Sequence, residues 1–298
     1  MTDTTEATGV PASGNVRTRR GRWAVLRRRL GRSTPFVAGS ILLLLVIVVA
    51  IAAPALTPFD PVKMNPPERL QPPSVHHPFG TDQLGRDVLS RVLHGGRLSL
   101  PMGVIPIAVA AIVGLILGLV TGSLGGWVDL VLMRIVDVWI AFPPILLAMA
   151  IVTVLGTGLP NIMVALGIAW IPYYARMVRG SVLEAKQRTY VDAARALGSL
   201  EWRIVLRHVL PNVLTPILVM SSMGVANAIL AGAALSFLGL GAQAPAPEWG
   251  TSLADARQFI RLGWWIGLFP GLAIAITVLG ANLLGDGLRD ALDPKLKI

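Results

Sequence analysis

Cysteine is absent from the 298 residues, which excludes disulfides, thiol nucleophiles and Cys-based metal sites. Charge is scarce: 14% of residues are charged, against about 25% in an ordinary soluble domain. Lysine is the rarest cation, present only as Lys63, Lys186, Lys295 and Lys297. So little charge cannot cover a soluble surface of this size, and it excludes a disordered chain or a coiled coil as well. What the chain has instead is 54% apolar side chains and a mean hydropathy of +0.67. Those values describe an all-α integral membrane protein. The 31 Gly and 22 Pro fit that class, because neighbouring transmembrane helices re-satisfy backbone groups that these residues free.

The uncharged stretches predict six spans, near residues 36–53, 102–124, 132–155, 162–178, 213–240 and 263–284. The breaker cluster Gly156-Thr157-Gly158-Leu159-Pro160-Asn161 separates the third from the fourth. Ala53-Pro54-Ala55 resembles a signal-peptide cleavage site, but the preceding apolar run exceeds the roughly 7–15 residues of a signal core and reads as an uncleaved anchor. Six spans put both termini on one side. The Arg-rich tail Arg17–Arg32, Arg134, the 176–207 loop and the C-terminal tail then share that side, which the positive-inside rule makes cytoplasmic. The net charge of +10 therefore follows the membrane and its lipid, with no nucleic-acid partner. The expected organisation is a basic cytoplasmic tail (1–35), a first span (36–56), an extracytoplasmic segment with a short helix (57–98), a five-span core (99–290) and a cytoplasmic tail (291–298).

The loop over 180–211 carries more pattern than a connector needs. Tyr190, Val191, Ala194 and Leu197 fall at helical spacing, and Gly198 stops that helix. A second helix follows near 200–209, and Pro211 opens the next span. Ala193 and Ala194 flatten one surface for a close partner. The competing reading is an amphipathic helix lying on lipid.

Asp192-Ala193-Ala194, three residues, Gly198, then Leu210-Pro211 resembles the EAA loop of ABC-importer permeases. Asp192 stands where that pattern has Glu, and His208 where it has Ile, substitutions that look usual for the peptide-importer branch. Three further stretches are similar to that branch. They are Gly80-Thr81-Asp82 with Gly85-Arg86-Asp87 and Ser90-Arg91; Leu235-Ser236-Phe237-Leu238-Gly239-Leu240-Gly241; and Asn282–Asp290 with Asp293-Pro294. The resemblance is to the second, C-type permease subunit of dipeptide and oligopeptide importers, a branch shared with nickel importers.

That resemblance implies a methionine-importer-like core, spans two to six, plus an extra N-terminal span in the plasma (inner) membrane. It implies a related permease as partner, two ATPase subunits that bind ATP and Mg, an extracytoplasmic substrate-binding protein, and a peptide as substrate. Tyr190, Asp192, Ala193, Ala194, Leu197, Gly198, Leu210 and Pro211 are then expected to couple to an ATPase. The chain itself is expected to bind no cofactor or metal and to be no enzyme, because no Lys follows a Gly as a phosphate-binding loop requires. A nickel importer permease of the same branch, or a secondary transporter or channel, is the alternative, and the absence of acids at the span centres speaks against proton coupling. A purely structural membrane subunit is a further alternative, which the polar groups on span five oppose.

Other features have two readings each. Ser221, Ser222, Asn227 and Ser236 on span five line a passage or bond neighbouring helices. Gly114, Gly118 and Gly122, at four-residue spacing, let a helix approach closely, within the subunit or at the partner permease. Thr81 is expected to cap a helix over 82–94 in which Asp87 pairs with Arg91. This helix either rests on the bundle or meets the binding protein or partner permease. Asp137 is expected to pair with Arg134, and His76-His77 to be solvated.

Overall fold

The structure, a computed structural model, describes residues 30–292. Most of the basic tail, together with the Asp293-Pro294 pair, Lys295 and Lys297, lies outside the described residues. The described residues form ten α-helices and no strand beyond an isolated bridge between Thr81 and Asp87.

Helix α1 (Thr34–Leu56) is apolar all round and buries only Gly39, Ala50 and Ala53. Its small residues let it lie against the last helix, and its outward Ile41, Leu44, Val48 and Ile51 are exposed as lipid-facing side chains are. Helix α2 (Val88–Leu124) runs 37 residues, with Pro101 and Pro106 inside it. Helices α3 (Gly126–Ile140) and α4 (Pro144–Leu155) meet at a 90° bend. Helix α5 (Leu159–Lys186) packs along α2. Short α6 (Thr189–Ala196) and α7 (Glu201–Ile204) follow, then a π-turn (Val205–Val209) that runs into α8 (Leu210–Phe237). Helix α9 (Trp249–Ala256) and the long α10 (Trp264–Leu292) complete the chain.

Four units, α1, α2, α7 through α8, and α10, are each long and apolar enough to cross a membrane. The bent α3–α4 pair passes the same test jointly. Helix α5 has 28 residues, ample length, but Arg176, Arg179 and Lys186 charge its last turns. Each of the six expected spans thus has a helical counterpart, five of them apolar enough to cross a membrane and the fourth, α5, charged at its end.

The bundle's centre is where α2, α5 and α8 meet, around Ile107, Ile171, Tyr174, Val178, Val213 and Ile217. The glycine stripe decides how close they come. A Cβ at Gly114 would meet Tyr174, one at Gly118 would meet Val178, and one at Gly122 would lie 2.8 Å from Val182. All three partners sit on α5, so the stripe seats α2 on α5 inside the subunit.

Several local expectations are corrected. Residues 82–87 form a loop, not a helix capped by Thr81. The Asp82 carboxylate accepts from the backbone N–H groups of Leu84 (2.8 Å) and Arg86 (2.9 Å), an Asx turn that closes the chain on itself. Helix α2 starts one residue later, where the Asp87 carboxylate accepts from Ser90 N–H at 2.7 Å. Gly95-Gly96 do not end it. A Cβ there would strike Trp249 or Ala50, so these glycines serve close approach, and the predicted short helix is continuous with span two. Asp87 pairs with His77 at 2.8 Å, and Arg91 lies 3.7 Å from Asp82. His77 is thus buried between Asp87 and Glu68, while His76 is exposed. Asp137 pairs across helices with Arg176 at 2.5 Å, not with Arg134. The predicted third span breaks at Ala141–Pro143, because Pro143 cannot donate to the helix ladder and restricts the residue before it.

At the end of the bundle that holds α9, residues 57–87 fold over the start of α2. Arg86 is fully buried, bonded to Asp82 at 2.5 Å and to Asp255 at 3.2 Å. Buried Glu248 accepts from Gly250 and Thr251 N–H and from Ser99 Oγ, which caps α9 and fastens it to α2. Trp249 and Trp265 donate their indole N–H to the carbonyls of Val92 and Thr81.

Candidate functional site

The opposite end carries α6. Its conformation follows from local chemistry. Ser199 N–H donates to Ala194 C=O at 3.1 Å and Gly198 N–H donates to Arg195 C=O at 2.9 Å, the paired bonds of a Schellman stop. That stop needs a left-handed residue just past the helix, and Gly198 supplies φ +77°. The turn is reinforced from outside by Arg195, which donates to Glu201 at 2.7 Å and lies 3.4 Å from Asp192. The Arg195 guanidinium holds the Glu201 carboxyl below the usual carboxylate range. The pair is therefore intact at neutral pH and is lost as pH falls through that lowered value.

Helix α6 is pinned rather than floating on lipid. Val191 is fully buried in the cluster that includes Val182, Ala185, Ile204 and Val209. Ala194 packs against the same cluster, and Ala193 faces out. The two alanines therefore do not form one flat surface; one seats the helix and the other is presented. Asn212 Nδ2 donates to the Tyr190 hydroxyl at 3.1 Å, tying α6 to the first turn of α8. Beside the charges of Asp192, Arg195 and Glu201 the outer surface exposes large apolar side chains: Tyr190, Leu197 (86% exposed), Leu200, Trp202 and Leu206.

Pro211 does not separate this unit from the next helix. Its ring would crowd the carbonyl four residues back, and the chain answers with a π-turn in which Leu210 N–H donates to Val205 C=O. Residues Glu201–Phe237 therefore run as one 37-residue rod. Leu210 is half-buried and Pro211 exposed. Trp202 and Leu206 were missed as surface residues. The signal was their exposure at i, i+4 beside Leu197 and Leu200, which a pattern read for burial overlooks.

The four polar residues of span five part company. Ser221 Oγ accepts from the Tyr174 hydroxyl at 3.2 Å, and Ser222 Oγ donates to Val219 C=O at 2.8 Å. Ser236 is fully buried beneath Gly241 and Gly250, a packing group in this conformation. Asn227 alone of the four is exposed. Among the described residues no group of three or more His, Cys, Asp or Glu is arranged to hold a metal ion.

This architecture, a bundle of long apolar helices with a docked helix at one end, is that of a multi-pass membrane protein. Residues 114–298 match the family described as "Binding-protein-dependent transport system inner membrane component", and residues 21–73 match the "N-terminal TM domain of oligopeptide transport permease C". The dipeptide transport system permease protein DppC of Alkalihalophilus pseudofirmus is 47% identical over 92% of this chain and 90% of its own length. The glutathione transport system permease protein GsiD of Pectobacterium atrosepticum is 47% identical, over 92% of both chains. The probable D,D-dipeptide transport system permease protein DdpC of Escherichia coli K12 is 43% identical, over 87% of both. The fold is similar to that of a chain in an inward-facing structure of the MetNI methionine ABC transporter, with a TM-score of 0.56 and 20% identity over 68% of this chain and 97% of that one. The chain belongs to the family of binding-protein-dependent transport system inner membrane components, as an ABC-importer permease of the C type.

Proposed function

We propose that this chain is one of two related permeases in an ATP-driven importer of di- and oligopeptides. Both termini face the cytoplasm, and the 57–87 and α9 end faces outward. The observation that carries the coupling role is the α6 unit. An exposed apolar surface is held on α6, which Val191 locks to the bundle, and on α7, which the π-turn joins to α8. Force applied to such a surface moves α8 as a body instead of bending a loop, which suits rigid-body switching between two access states. An ATPase subunit, holding ATP and Mg, is the partner for that surface. Tyr190, Asp192, Ala193, Leu197 and Gly198 form its edge; Ala194, Leu210 and Pro211 hold it in place. A substrate-binding protein meets the outward end. The chain contributes no hydrolytic site of its own. The peptide substrate is supported by the relatives, whose names specify dipeptides, D,D-dipeptides and glutathione, all short peptides with charged ends.

The test is purification of the tagged chain from native membranes in mild detergent, with and without chemical crosslinking. Stoichiometric recovery of a second permease and ATPase subunits, with peptide uptake by the reconstituted assembly, is the expected result. Recovery of the chain alone under crosslinking would overturn the proposal in favour of a channel or secondary transporter.

A further inference from the structure

The 90° bend between α3 and α4, the packing partner of α5, shapes the charged region toward the α6 end of the bundle. Helix α4 lies along the first half of α5, with Ala148 and Val152 against Ala165, Leu166 and Ala169. Beyond the bend α3 still runs beside α5, and a groove of about 430 Å³ lies between them. Apolar side chains do not fill it. Two ion pairs bridge it instead: Arg179 to Asp129 at 2.5 and 2.6 Å, and Arg176 to Asp137 at 2.5 Å. Arg134 also lines the groove, is exposed, and makes no ion pair among the described residues. Ionisable side chains within spanning segments are costly in lipid and mark polar pathways.

We propose that this groove is a transit site for the charged ends of a short peptide in the inner half of the passage, an inference that rests on the peptide-importer reading. The peptide carboxylate docks on Arg134 and Arg176, and its ammonium on Asp137 or Asp129. Leu130 and Met133 supply the apolar wall for a side chain. The charge balance selects this ligand class. Three guanidiniums face two carboxylates, so the groove offers both signs with one cation in surplus. An anionic lipid headgroup would use only the surplus cation, whereas a zwitterion engages groups of both signs. Because each ligand charge replaces an internal partner of the same sign, little desolvation is added and release stays easy, as a conducting site requires.

The experiment uses the complete importer, with its partner permease and ATPase subunits, in phosphatidylcholine nanodiscs. A dipeptide carrying benzoylphenylalanine is photocrosslinked and the adducts mapped by mass spectrometry. Adducts are expected at Leu130 and Met133. They should be suppressed by excess Ala-Ala but not by its N-acetylated, C-amidated form. Arg134→Gln should lower them about fivefold, the scale of one half-exposed charge-assisted contact, and Arg134→Lys should restore most of the yield. Arg134 is exposed, so assembly and thermal melting of the variant complex serve as the folding control. Adducts only outside the groove, or equal competition by the capped peptide, would overturn the proposal. So would loss of adducts when phosphatidylethanolamine is added, which would assign the groove to a zwitterionic headgroup. The two readings separate cleanly. A wild-type complex that imports the dipeptide without groove adducts sinks only the groove, whereas no ATP-dependent uptake of any peptide sinks the importer reading itself.

Discussion

Gly198 shows how one residue governs an exposed surface. Its φ of +77° places the Ser199 N–H on Ala194, and the exposed Leu197 is held at the resulting corner. A Cβ in the left-handed region costs about 1–2 kcal/mol. No neighbouring atom lies within 4 Å of a Cβ there, so Gly198→Ala should weaken the turn through backbone strain alone. We expect reduced peptide uptake at normal membrane abundance in that variant. In Gly198→Pro, which also deletes the N–H given to Arg195, uptake should be abolished while the protein stays in the membrane. Transport assays at matched expression check both, and normal uptake in the proline variant would remove Gly198 from the coupling role. At this scale the sequence was only partly legible. The spacing of Asp192, Gly198 and Pro211 was visible, whereas the pairing of Asp137 with Arg176 was not. A rule of (i, i+3) neighbours favours Arg134, and only the packing of α3 beside α5 brings Arg176 within reach. His77 escaped for the same reason, since its carboxylate partners Glu68 and Asp87 lie nine and ten residues away along a loop.

Among elements, the α2–α5 pair holds the bundle and the α6–α8 unit carries the exposed surface proposed for coupling. Gly118 faces Val178 and a carbonyl of α5, so Gly118→Leu has no room to repack. Overpacking of this kind costs about 1–3 kcal/mol, and the melting temperature of the purified complex should fall accordingly. An unchanged melting temperature would show that α2 and α5 separate more freely than their geometry indicates. Val191 is the bolt between α6 and the bundle. Val191→Asp would bury a charge without a partner, releasing α6 while leaving the spans in place. The expected signature is ATP hydrolysis no longer stimulated by substrate, read in the reconstituted assembly. The existence of the long spanning helices was legible from uncharged length, whereas the short α9 was not foreseen. Helix ends were not legible: the Asx turn at Asp82 and the π-turn before Pro211 arise from side-chain and carbonyl geometry that a hydropathy window averages away.

For the whole molecule, even-numbered crossings bring the start of α1 and the end of α10 to one end, where a Cβ on Gly287 would meet Phe36. The absence of cysteine makes orientation directly measurable, because any introduced thiol is unique. Val75 is 97% exposed at the α9 end and Leu197 86% exposed at the α6 end. Val75→Cys should react with a membrane-impermeant maleimide on intact spheroplasts, and Leu197→Cys only after permeabilisation. The reverse pattern would invert the topology proposed from the arginine distribution.

By itself the sequence determined membrane class, the positions of the apolar helices, charge asymmetry and the family resemblance of the 180–211 loop. Each depends on composition or spacing along one chain, and a bilayer enforces those properties span by span. The tertiary structure decided which charges meet, which glycines seat which helix, where the third span bends and which of four polar residues on α8 stay exposed. Those are properties of surfaces that come together from distant segments, set by packing and by the demand that every buried charge find a partner.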